Sequence, residues 1–584
     1  MAKNMFKITS VAFAAILSGI GCMADRLPAP EDVPVRLHTV SQVIDAARPE
    51  RDSHTGEECW SAMQPMSGYS YILPHDMLTA GAPEDQRMAM YPRIKKMGNG
   101  EYIMFWHGSP TGSRIWSSIS GDFKEWSEPV LLFGPEHVTV NGTGDWRRYV
   151  NMDAAVLPDG EILAVCSFRA TEHYREGLGC GIMLIRSKDN GRTWTSPVQI
   201  YEGPNWEPYL LALPDGKLQC YFTDATPQTR NSGTSLIESS DNGITWSLRK
   251  RVCRQYKYRY DGPDGDFAGQ KIYTDQMPCF RVLNDGKTLF GFIESRLERT
   301  PGVNGKSYYA LSVIWNDSLE WKDLGEDSEG PSTRLSNVIE GGGGYVAVFP
   351  SGEVVISGHI GGRFRMKILD SSGCRNGGTV WDDGWLSPFS GMGYWSCTEV
   401  DSPLSLVAAM HCDKGIEFGR FYLNHRIDAS DARIVADGDG GEWMSEDALY
   451  LGCRDGAESI FRTAKDDRNL YLLVETLSDD RSGRTRVDML LGNPSGKDVK
   501  TVKISSSGSV LASDADISSS FRYGTSDKGE SGFAVEIAIP LESLGLSEGD
   551  SLCLYSAMSD GGAVSTFSLS KKSDMDTWQH IKIR

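Results

Sequence analysis

Six ionisable side chains occupy similar positions after six predicted hairpin turns. Each follows an apolar run, seven to nine residues past a turn, and none of the six is lysine. They are His107, Arg169, Asp224, Glu294, His359 and His411. A polar residue at a strand end is ordinary, because strands emerge into water there. A set of Arg, Asp, Glu and His without Lys instead favours binding of hydroxyl groups and acid/base chemistry.

Further functional candidates stand where the first strand of a hairpin begins. They are Arg93, Asp153, Glu207 and, in the last copy, Tyr394. If first strands line a common axis and second strands return antiparallel, both sets meet at one rim. Glycosidic cleavage uses two carboxyl groups that flank the bond. Glu207 and Glu294 are the best candidates because they come from neighbouring repeats, and Asp153 and Asp224 stand in reserve. The other rim residues are predicted to bind substrate.

The hairpin that carries these residues recurs six times. Each copy is an apolar strand, a turn and a second apolar strand, and the copies span residues 92–107, 153–169, 207–224, 277–294, 344–359 and 397–411. The turn residues are Gly100, Gly160, Gly216, Gly286 and Gly352, with Pro403 in the sixth place. Gly accepts the positive φ that tight hairpins need. The turns lie 51 to 70 residues apart, the length of a four-stranded blade. The sequence therefore predicts an all-β protein with a six-bladed propeller over residues 66–427.

Two eight-residue segments, 187–194 and 239–246, share the pattern Ser-x-Asp-x-Gly-x-Thr-Trp. Degenerate copies end at Trp126, Trp321 and Trp381. This pattern is the Asp-box, and the chain resembles the sialidase-like superfamily of Asp-box propellers. The resemblance implies that each box is a structural turn, in which Asp caps backbone N–H groups and Trp packs between strands. We therefore expect no catalytic role for the boxes.

Three stretches resemble one family within that superfamily, the exo-α-1,5-L-arabinanases of glycoside hydrolase family 93. They are residues 91–94, 206–210 and 276–278, the last leading to Glu294. The resemblance implies an exo-acting arabinanase or arabinofuranosidase, with Glu207 as acid/base and Glu294 as nucleophile. Long segments at 133–148 and 251–276 are expected to wall the funnel into a pocket for chain ends.

Other functions stay open. A sialidase would pair Glu207 with Tyr394 and clamp a carboxylate with three arginines, of which Arg93 and Arg365 are candidates. The second arginine is missing, because Thr223 and Asp224 stand in its place; one clamp arm is worth about 1.5–3 kcal/mol. A polysaccharide lyase would use a His base beside an Arg that neutralises a uronate. A catalytically inactive glycan-binding propeller is the third alternative.

Composition restricts the partners. The formal net charge of −19 argues against nucleic acid, since there is no basic excess to displace counterions. No Cys or His cluster has metal-ligand spacing, so neither a metal nor another cofactor is expected. We expect a monomer that binds a polysaccharide or glycan chain end. Cysteines in apolar strand patterns are expected to be core residues.

The two ends of the chain are expected to differ from the propeller. Residues 1–22 resemble a bacterial lipoprotein signal with Cys22 as the lipidated residue, so the protein is predicted to be exported and to touch a membrane only through that lipid. Residues 23–65 form an N-terminal extension. Residues 428–584 are rich in Ser, Asp and Gly and resemble a family 9 carbohydrate-binding module, which implies a β-sandwich. Trp443 is expected to be a core residue more than a sugar platform.

Overall fold

The computed structural model describes residues 34–46, 66–84, 87–108, 113–225, 233–253, 275–297, 308–323, 335–369, 385–387, 389, 391–424, 427–444, 447–452, 457–561, 564–566 and 571–584. The predicted export signal with Cys22 and the degenerate box at Trp381 lie outside these residues. So does most of the segment 251–276.

Six antiparallel sheets follow one another along the chain from Met66 to Leu423. Blade 1 contains Ala89–Lys96, Tyr102–Gly108, Ile115–Ser120 and Val130–Phe133. Blade 2 contains Glu136–Val140, Thr143–Val156, Ile162–Ala170, Cys180–Ser187 and Val198–Glu202. Blade 3 contains Asn205–Ala212, Leu218–Asp224, Gly233–Ser239 and Lys250–Cys253. Blade 4 contains Asp275–Gln276, Phe280–Val282, Leu289–Leu297, Tyr308–Asn316 and Leu335–Glu340.

Blade 5 contains Gly342–Val348, Val354–Ile360 and Arg363–Leu369, and blade 6 contains Gly393–Ser402, Ser405–Cys412 and Gly415–Leu423. The outermost strand of blade 6 is Met66–Pro74, which comes from the start of the ring and pairs antiparallel with Gly415–Leu423. This pairing joins the two ends of the propeller without a covalent bond. The predicted six-bladed propeller is confirmed.

The turns of the inner hairpins agree with the sequence prediction. The five turn glycines have φ between 70° and 102°. Each N–H donates to the carbonyl three residues earlier, as from Gly160 to Leu157 at 2.9 Å. The turns lie at one end of the propeller, and the starts of the first strands therefore lie at the other end, which we call the rim.

Every innermost strand carries a β-bulge near the rim. One extra residue opposes the second strand in each blade, as between Trp206 and Tyr209 in blade 3. The bulge residues are Tyr91, Asn151, Glu207, Met277, Gly343 and Trp395, with φ between 45° and 64°. Positive φ is uncommon outside Gly, and such strain clusters at functional sites. The bulges repeat around the axis, at the rim end of every innermost strand.

The two Asp-boxes lie at the opposite end from the rim. Each connects the last two strands of its blade. In the first box, the Asp189 carboxylate accepts from the backbone N–H and the hydroxyl of Thr193 at 2.8 and 2.5 Å. Trp194 donates to the Gly191 carbonyl and packs edge-on against Phe105 of blade 1. The second box repeats these bonds through Asp241 and Thr245. These contacts are those of a structural turn that locks neighbouring blades together.

A second β domain follows the propeller. Its thirteen strands are Val35–Leu37, Ile427–Asp431, Ala448–Gly452, Glu458–Lys465, Asn469–Leu477, Thr485–Gly492, Lys500–Ser505, Ser509–Ala512, Ser518–Ser526, Ser531–Pro540, Ser551–Asp560, Val564–Thr566 and Gln579–Ile583. Ile427–Asp431 pairs with one half of this sheet on each side. The halves share one apolar core, to which Leu472 and Val535 contribute from one half and Met489 and Leu554 from the other.

The domain fits the predicted all-β fold, while its resemblance to family 9 modules stays a prediction. Trp443 is fully buried and donates from Nε1 to Glu536 at 2.6 Å, which places it in the core. The N-terminal strand Val35–Leu37 pairs parallel with Ser518–Ser526. The short helix Val40–Ala46 packs where the propeller meets this domain, among residues that include Tyr422 and Tyr450.

Helices are few. The α-helices are Val40–Ala46, His75–Leu78 and Leu541–Leu544, and the 3₁₀ helices are His173–Glu176, Gly440–Trp443 and Met575–Thr577. Within the described residues, no helix has the length and apolar character needed to span a bilayer. The eight described cysteines are buried free thiols, among them Cys166, Cys220, Cys279 and Cys553.

Candidate functional site

A pocket of about 830 Å³ opens at the rim over blades 3 to 6. Its lining includes both predicted carboxylates and the bulge residues of four blades, and comprises Glu207, Gln276, Met277, Glu294, Gly341, Gly342, Gly343, His359, Ile360, Gly361, Gly362, Tyr394 and Trp395. The structure thus brings Glu207, Glu294, His359 and Tyr394 together, from four blades. We call this cavity the rim pocket.

Glu207 is the bulge residue of blade 3. Its φ of 45° turns the side chain away from the regular strand direction. The Thr223 hydroxyl lies 2.7 Å from Glu207 Oε2 and also accepts the Met277 N–H at 2.9 Å. Because that N–H occupies the acceptor side, the Thr223 proton points to Glu207. Oε2 is therefore held as an acceptor, and Oε1 is left for other contacts.

Glu294 ends the second strand of blade 4. Its Oε2 accepts the backbone N–H of Gly343 at 2.8 Å, and its Oε1 accepts from the side-chain amide of Gln276. Gly342 has to be small, since a Cβ there would lie 2.4 Å from Oε2. Both oxygens of Glu294 are thus fixed by N–H donors, on a side chain that is only 7% exposed.

Burial dominates the electrostatics of the pair. Desolvation, together with the nearby Glu207 charge, raises the pKa of Glu294 to about 7, although the Gly343 N–H lowers it. Desolvation also raises the pKa of Glu207, while Thr223 and the positive charges of Arg169 and Arg93 lower it. Repulsion between the two carboxylates therefore favours protonation of Glu294 in the free protein.

Aromatic and imidazole rings form the far wall of the rim pocket. His359 accepts the Ser396 N–H at Nε2 (3.1 Å), so its proton sits on Nδ1, and its ring packs 5.7 Å from that of Tyr394. Tyr394 is 52% exposed. His411 lies behind Trp395, at 5.9 Å between ring centres, and bonds the Ala89 carbonyl. Burial lowers the pKa of His359 to about 4.

Arg93 and Asp153 lie beneath the rim, two residues past their bulges. The Arg93 guanidinium is buried between Tyr91 and Tyr345 and donates to the carbonyls of Pro92 and Ser396. Asp153 is fully buried, accepts the Leu210 N–H at 3.0 Å and lies 3.3 Å from Lys95 Nζ.

These two residues therefore hold the axis of the propeller together. Neither lines the rim pocket.

Asp224 points away from the rim pocket. Its carboxylate is fully buried and contacts Ser235, Arg249 and Arg251 at 2.7, 2.6 and 3.2 Å. The strand residue that faces the pocket is its neighbour, Thr223, because adjacent residues of a strand point to opposite faces. Sequence reasoning missed Thr223 for this reason.

His107 and Arg169 lie beside the rim pocket, on blades 1 and 2. His107 packs 5.8 Å from Tyr91, and burial lowers its pKa to about 3. The Arg169 guanidinium stacks 3.4 Å from the ring of Trp206, the residue before Glu207. Gln276, Gly342 and Gly343 were not predicted as site residues. Gln276 is the first residue of the 276–278 motif, and this was the one signal that could have indicated it.

Among the residues that the structure describes, no group of three His, Cys, Asp or Glu side chains could hold a metal ion. The chemistry available at the rim pocket is that of two carboxyl groups with fixed hydrogen bonds and neutral imidazoles around them.

No protein-family model matches this sequence, and no curated protein matches it. Solved structures do. The α-L-arabinanase of Penicillium chrysogenum, complexed with arabinobiose, is 19% identical, over 61% of this chain and 98% of that chain, with a TM-score of 0.41. A Hadza microbial sialidase is 16% identical, over 60% and 67%, with a TM-score of 0.39. An endo-arabinase from Bacteroides thetaiotaomicron is 14% identical, over 51% and 96%, with a TM-score of 0.35. At these identities the likeness extends to the fold alone.

Proposed function

We propose that this protein is a glycoside hydrolase that removes a terminal sugar or small repeat in the rim pocket. The observation that carries the proposal is the pair Glu207 and Glu294, which line one cavity from neighbouring blades and both have a raised pKa. A protonated and an ionised carboxyl group across a sugar are what glycosidic cleavage requires.

Hydrogen bonding supports the roles that we propose for the pair. Oε2 of Glu207 is occupied by Thr223, so Glu207 would deliver its proton from Oε1 to the leaving oxygen. Both oxygens of Glu294 receive N–H donors, which suit an anion that faces the anomeric carbon and stabilises its developing positive charge. The raised pKa of Glu294, about 7, favours the opposite roles in the free protein. The proposed roles therefore require that Glu207 is the protonated group once substrate is bound.

The first substrate class that we propose is terminal α-L-arabinofuranosides at the end of a polysaccharide or glycan chain. The support is the short motifs around Arg93, Glu207 and Glu294. We also propose that the protein acts after export, as the segment before Cys22 predicts, and as a monomer without a cofactor.

Sialidase activity is the second candidate, favoured by the exposed Tyr394 in the same pocket as Glu207. Two observations weigh against it. Arg93 is stacked under the rim and satisfied by backbone carbonyls, and Thr223 takes the place of a clamp arginine.

Lyase chemistry is less favoured. Burial lowers the pKa of His107 to about 3 and that of His359 to about 4, so both imidazoles are weak bases.

One set of variants tests the proposal. The purified protein, with Glu207→Gln, Glu294→Gln and Tyr394→Phe, is incubated with arabinan, sialosides and uronate-capped glycans. A hydrolase releases a free sugar, whereas a lyase gives an unsaturated product that absorbs ultraviolet light. We expect each Glu→Gln change to lower turnover by several orders of magnitude, at least about a hundredfold, and Tyr394→Phe to have a small effect.

The matched control is Glu202→Gln, an exposed carboxylate on blade 2. If Glu294→Gln retains more than roughly a tenth of wild-type turnover, a deficit under about 1.4 kcal/mol, the pair is not catalytic. If Tyr394→Phe lowers turnover as much as Glu207→Gln does, the proposal of sialidase activity replaces that of arabinofuranoside hydrolysis.

A further inference from the structure

Two arginines stand directly opposite each other at the rim of blade 2. Arg148 and Arg169 are cross-strand partners in the antiparallel pair Thr143–Val156 and Ile162–Ala170. Like charges in this position destabilise a sheet, unless something else compensates them. Within the described part of the chain, neither has an acidic partner, whereas the adjacent Arg147 pairs with Glu136 at 3.0 Å.

Arg169 is held rigidly although it lacks a counterion. Its guanidinium lies 3.4 Å from the ring of Trp206 and 5.1 Å from that of Tyr174. Its Nε and Nη2 are buried and have no hydrogen-bond partner in the described structure. Stacking explains why the side chain stays in place, but it leaves N–H donors unused, which is costly for a buried cation.

The stacking on Trp206 involves Arg169, so it does not explain why Arg148 stands opposite a second arginine. Residues directly opposite in a sheet share a face, so Arg148 points to the same side as Arg169, towards blade 3.

An exposed indole continues this face. Trp146 precedes Arg148 by two residues on one strand, and therefore lies on the same side. It is 53% exposed. Its position is fixed by Asp145, which accepts the N–H groups of Trp146, Thr171 and His173. Arg148, Arg169 and Trp146 thus form one polar and aromatic surface, which we call the blade 2 face.

The blade 2 face lies on the Glu207 side of the carboxyl pair. Arg169 stacks on Trp206, and its charge lowers the pKa of Glu207. The rim pocket extends the other way, over blades 3 to 6, and none of the three residues of the blade 2 face lines it. If Glu207 is the proton donor, the leaving group is on this side.

We propose that the blade 2 face binds an acidic sugar residue on the leaving-group side of the cleaved bond. Arg148 and Arg169 receive its carboxylate, and Trp146 packs against its ring. Arginine forks match carboxylates bidentately, and an anion there removes the repulsion between the two guanidinium groups. An aromatic platform beside the cations favours a sugar over a bare inorganic anion. The position relative to the bond rests on the proposed function, while the binding itself does not.

The test measures binding by titration calorimetry on the full-length protein, with probes that contain no glycosidic bond to cleave. The probes are glucuronate, galacturonate and N-acetylneuraminate, with glucose and galactose as neutral counterparts and sodium sulfate as a bare anion. We expect at least one sugar acid to bind about tenfold more tightly than its neutral counterpart. Arg148→Gln and Arg169→Gln should abolish that difference, and added salt should weaken it.

The matched control is Arg147→Gln, which removes a cation of the same strand from the opposite face and should leave the preference for acids intact. Trp146→Ala should weaken binding of the sugar acid and leave sulfate binding unchanged. Acids that bind no better than neutral sugars, or arginine variants without effect, overturn the proposal. Sulfate that binds as tightly as every sugar acid overturns the assignment to a sugar.

The outcome is independent of the hydrolase test. A protein that binds sugar acids through Arg148 and Arg169, but whose Glu→Gln variants keep full turnover, refutes the proposed carboxyl pair and retains this site. A hydrolase with no preference for acids does the reverse.

Discussion

The Thr223 hydroxyl lies between the Met277 N–H, at 2.9 Å, and Oε2 of Glu207, at 2.7 Å. Thr223 and Glu207 are near neighbours across the first two strands of blade 3, and Met277 is the bulge residue of blade 4. The hydroxyl therefore ties the position of the proposed proton donor to the geometry of the next blade. Because its single proton is committed to Glu207, it lowers the pKa of that carboxyl group.

Thr223→Val keeps the shape of the side chain and removes this bond. We expect kcat to fall by about ten- to a hundredfold, since Glu207 loses its orientation and the Met277 N–H loses its acceptor. The pKa of Glu207 should rise, because the bond stabilised its ionised form. If Glu207 is the acid, the alkaline limb of the pH–rate profile moves to higher pH.

Thr223→Ser restores a hydroxyl and should recover most of the activity and the original pH profile. The matched control is Thr234→Val in the same blade, a buried threonine that bonds the Asp275 carbonyl. A Thr223→Val protein with normal turnover and an unmoved alkaline limb would show that the bond does not serve catalysis.

Leaving groups separate the two possible role assignments. On a substrate with a good leaving group, which needs little protonation, Glu207→Gln should retain activity and Glu294→Gln should not. Kinetics of both variants on aryl glycosides of graded leaving-group acidity give the answer. If only Glu294→Gln retains activity on such substrates, the two roles are reversed, in agreement with the pKa of about 7 of Glu294 in the free protein.

Gly342 sets the space for Glu294. A methyl group at position 342 would meet Oε2 of Glu294 at 2.4 Å, and the backbone there is not in the left-handed region, so the conflict is purely steric. Gly342→Ala should displace the carboxylate and lower kcat by at least about tenfold, a misplacement effect. Steady-state kinetics and thermal unfolding measure the two consequences separately.

The control is Gly121→Ala, where a Cβ meets nothing within 4 Å. It should leave turnover and Tm unchanged. If Gly342→Ala is as active as wild type, the fixed position of Glu294 is not required.

Burial of Glu294 predicts a particular pH dependence of stability. Its pKa is about 7 in the folded protein, above the usual value near 4.5. Between these values the folded state keeps a proton that the unfolded chain has released, so the free energy of unfolding falls as the pH rises. Glu294→Gln does not ionise and escapes this loss. The measurement is urea denaturation from about pH 4.5 to about pH 8. The free energy of unfolding of the variant, relative to that of wild type, should increase up to about pH 7 and stay constant above it. A difference that stays flat throughout would show that the pKa of Glu294 is not raised.

The sequence predicted the six blades because turn glycines and apolar strands are local signals that repeat. It located Glu207 and Glu294 through motif resemblance. It selected Asp224, whereas the residue that contacts Glu207 is Thr223. Counting residues past a turn is uncertain by one position, and adjacent residues of a strand point to opposite faces. The bulges could not be predicted either. Five of the six bulge residues are not glycine, so their residue types do not indicate a positive φ. Arg148 escaped notice because an unpaired arginine is recognisable only when its neighbours are known.

The proposed exo action is tested by the early products of the reaction. The cavity of about 830 Å³ lies over blades 3 to 6, and the added hairpin of blade 2, Glu136–Val140 with the start of Thr143–Val156, extends beyond the rim beside it. If the rim pocket accepts only the end of a chain, the enzyme acts from that end. Chromatography of the first products should therefore show a monosaccharide or a small repeat, with the remaining polymer shortened gradually. The control is the same substrate with its non-reducing ends blocked, which should resist the enzyme, since removal from an end needs that end to be free. Mid-length oligosaccharides at early times, or unimpaired cleavage of the blocked chains, would mean that the pocket is an open cleft and that the protein cuts within chains.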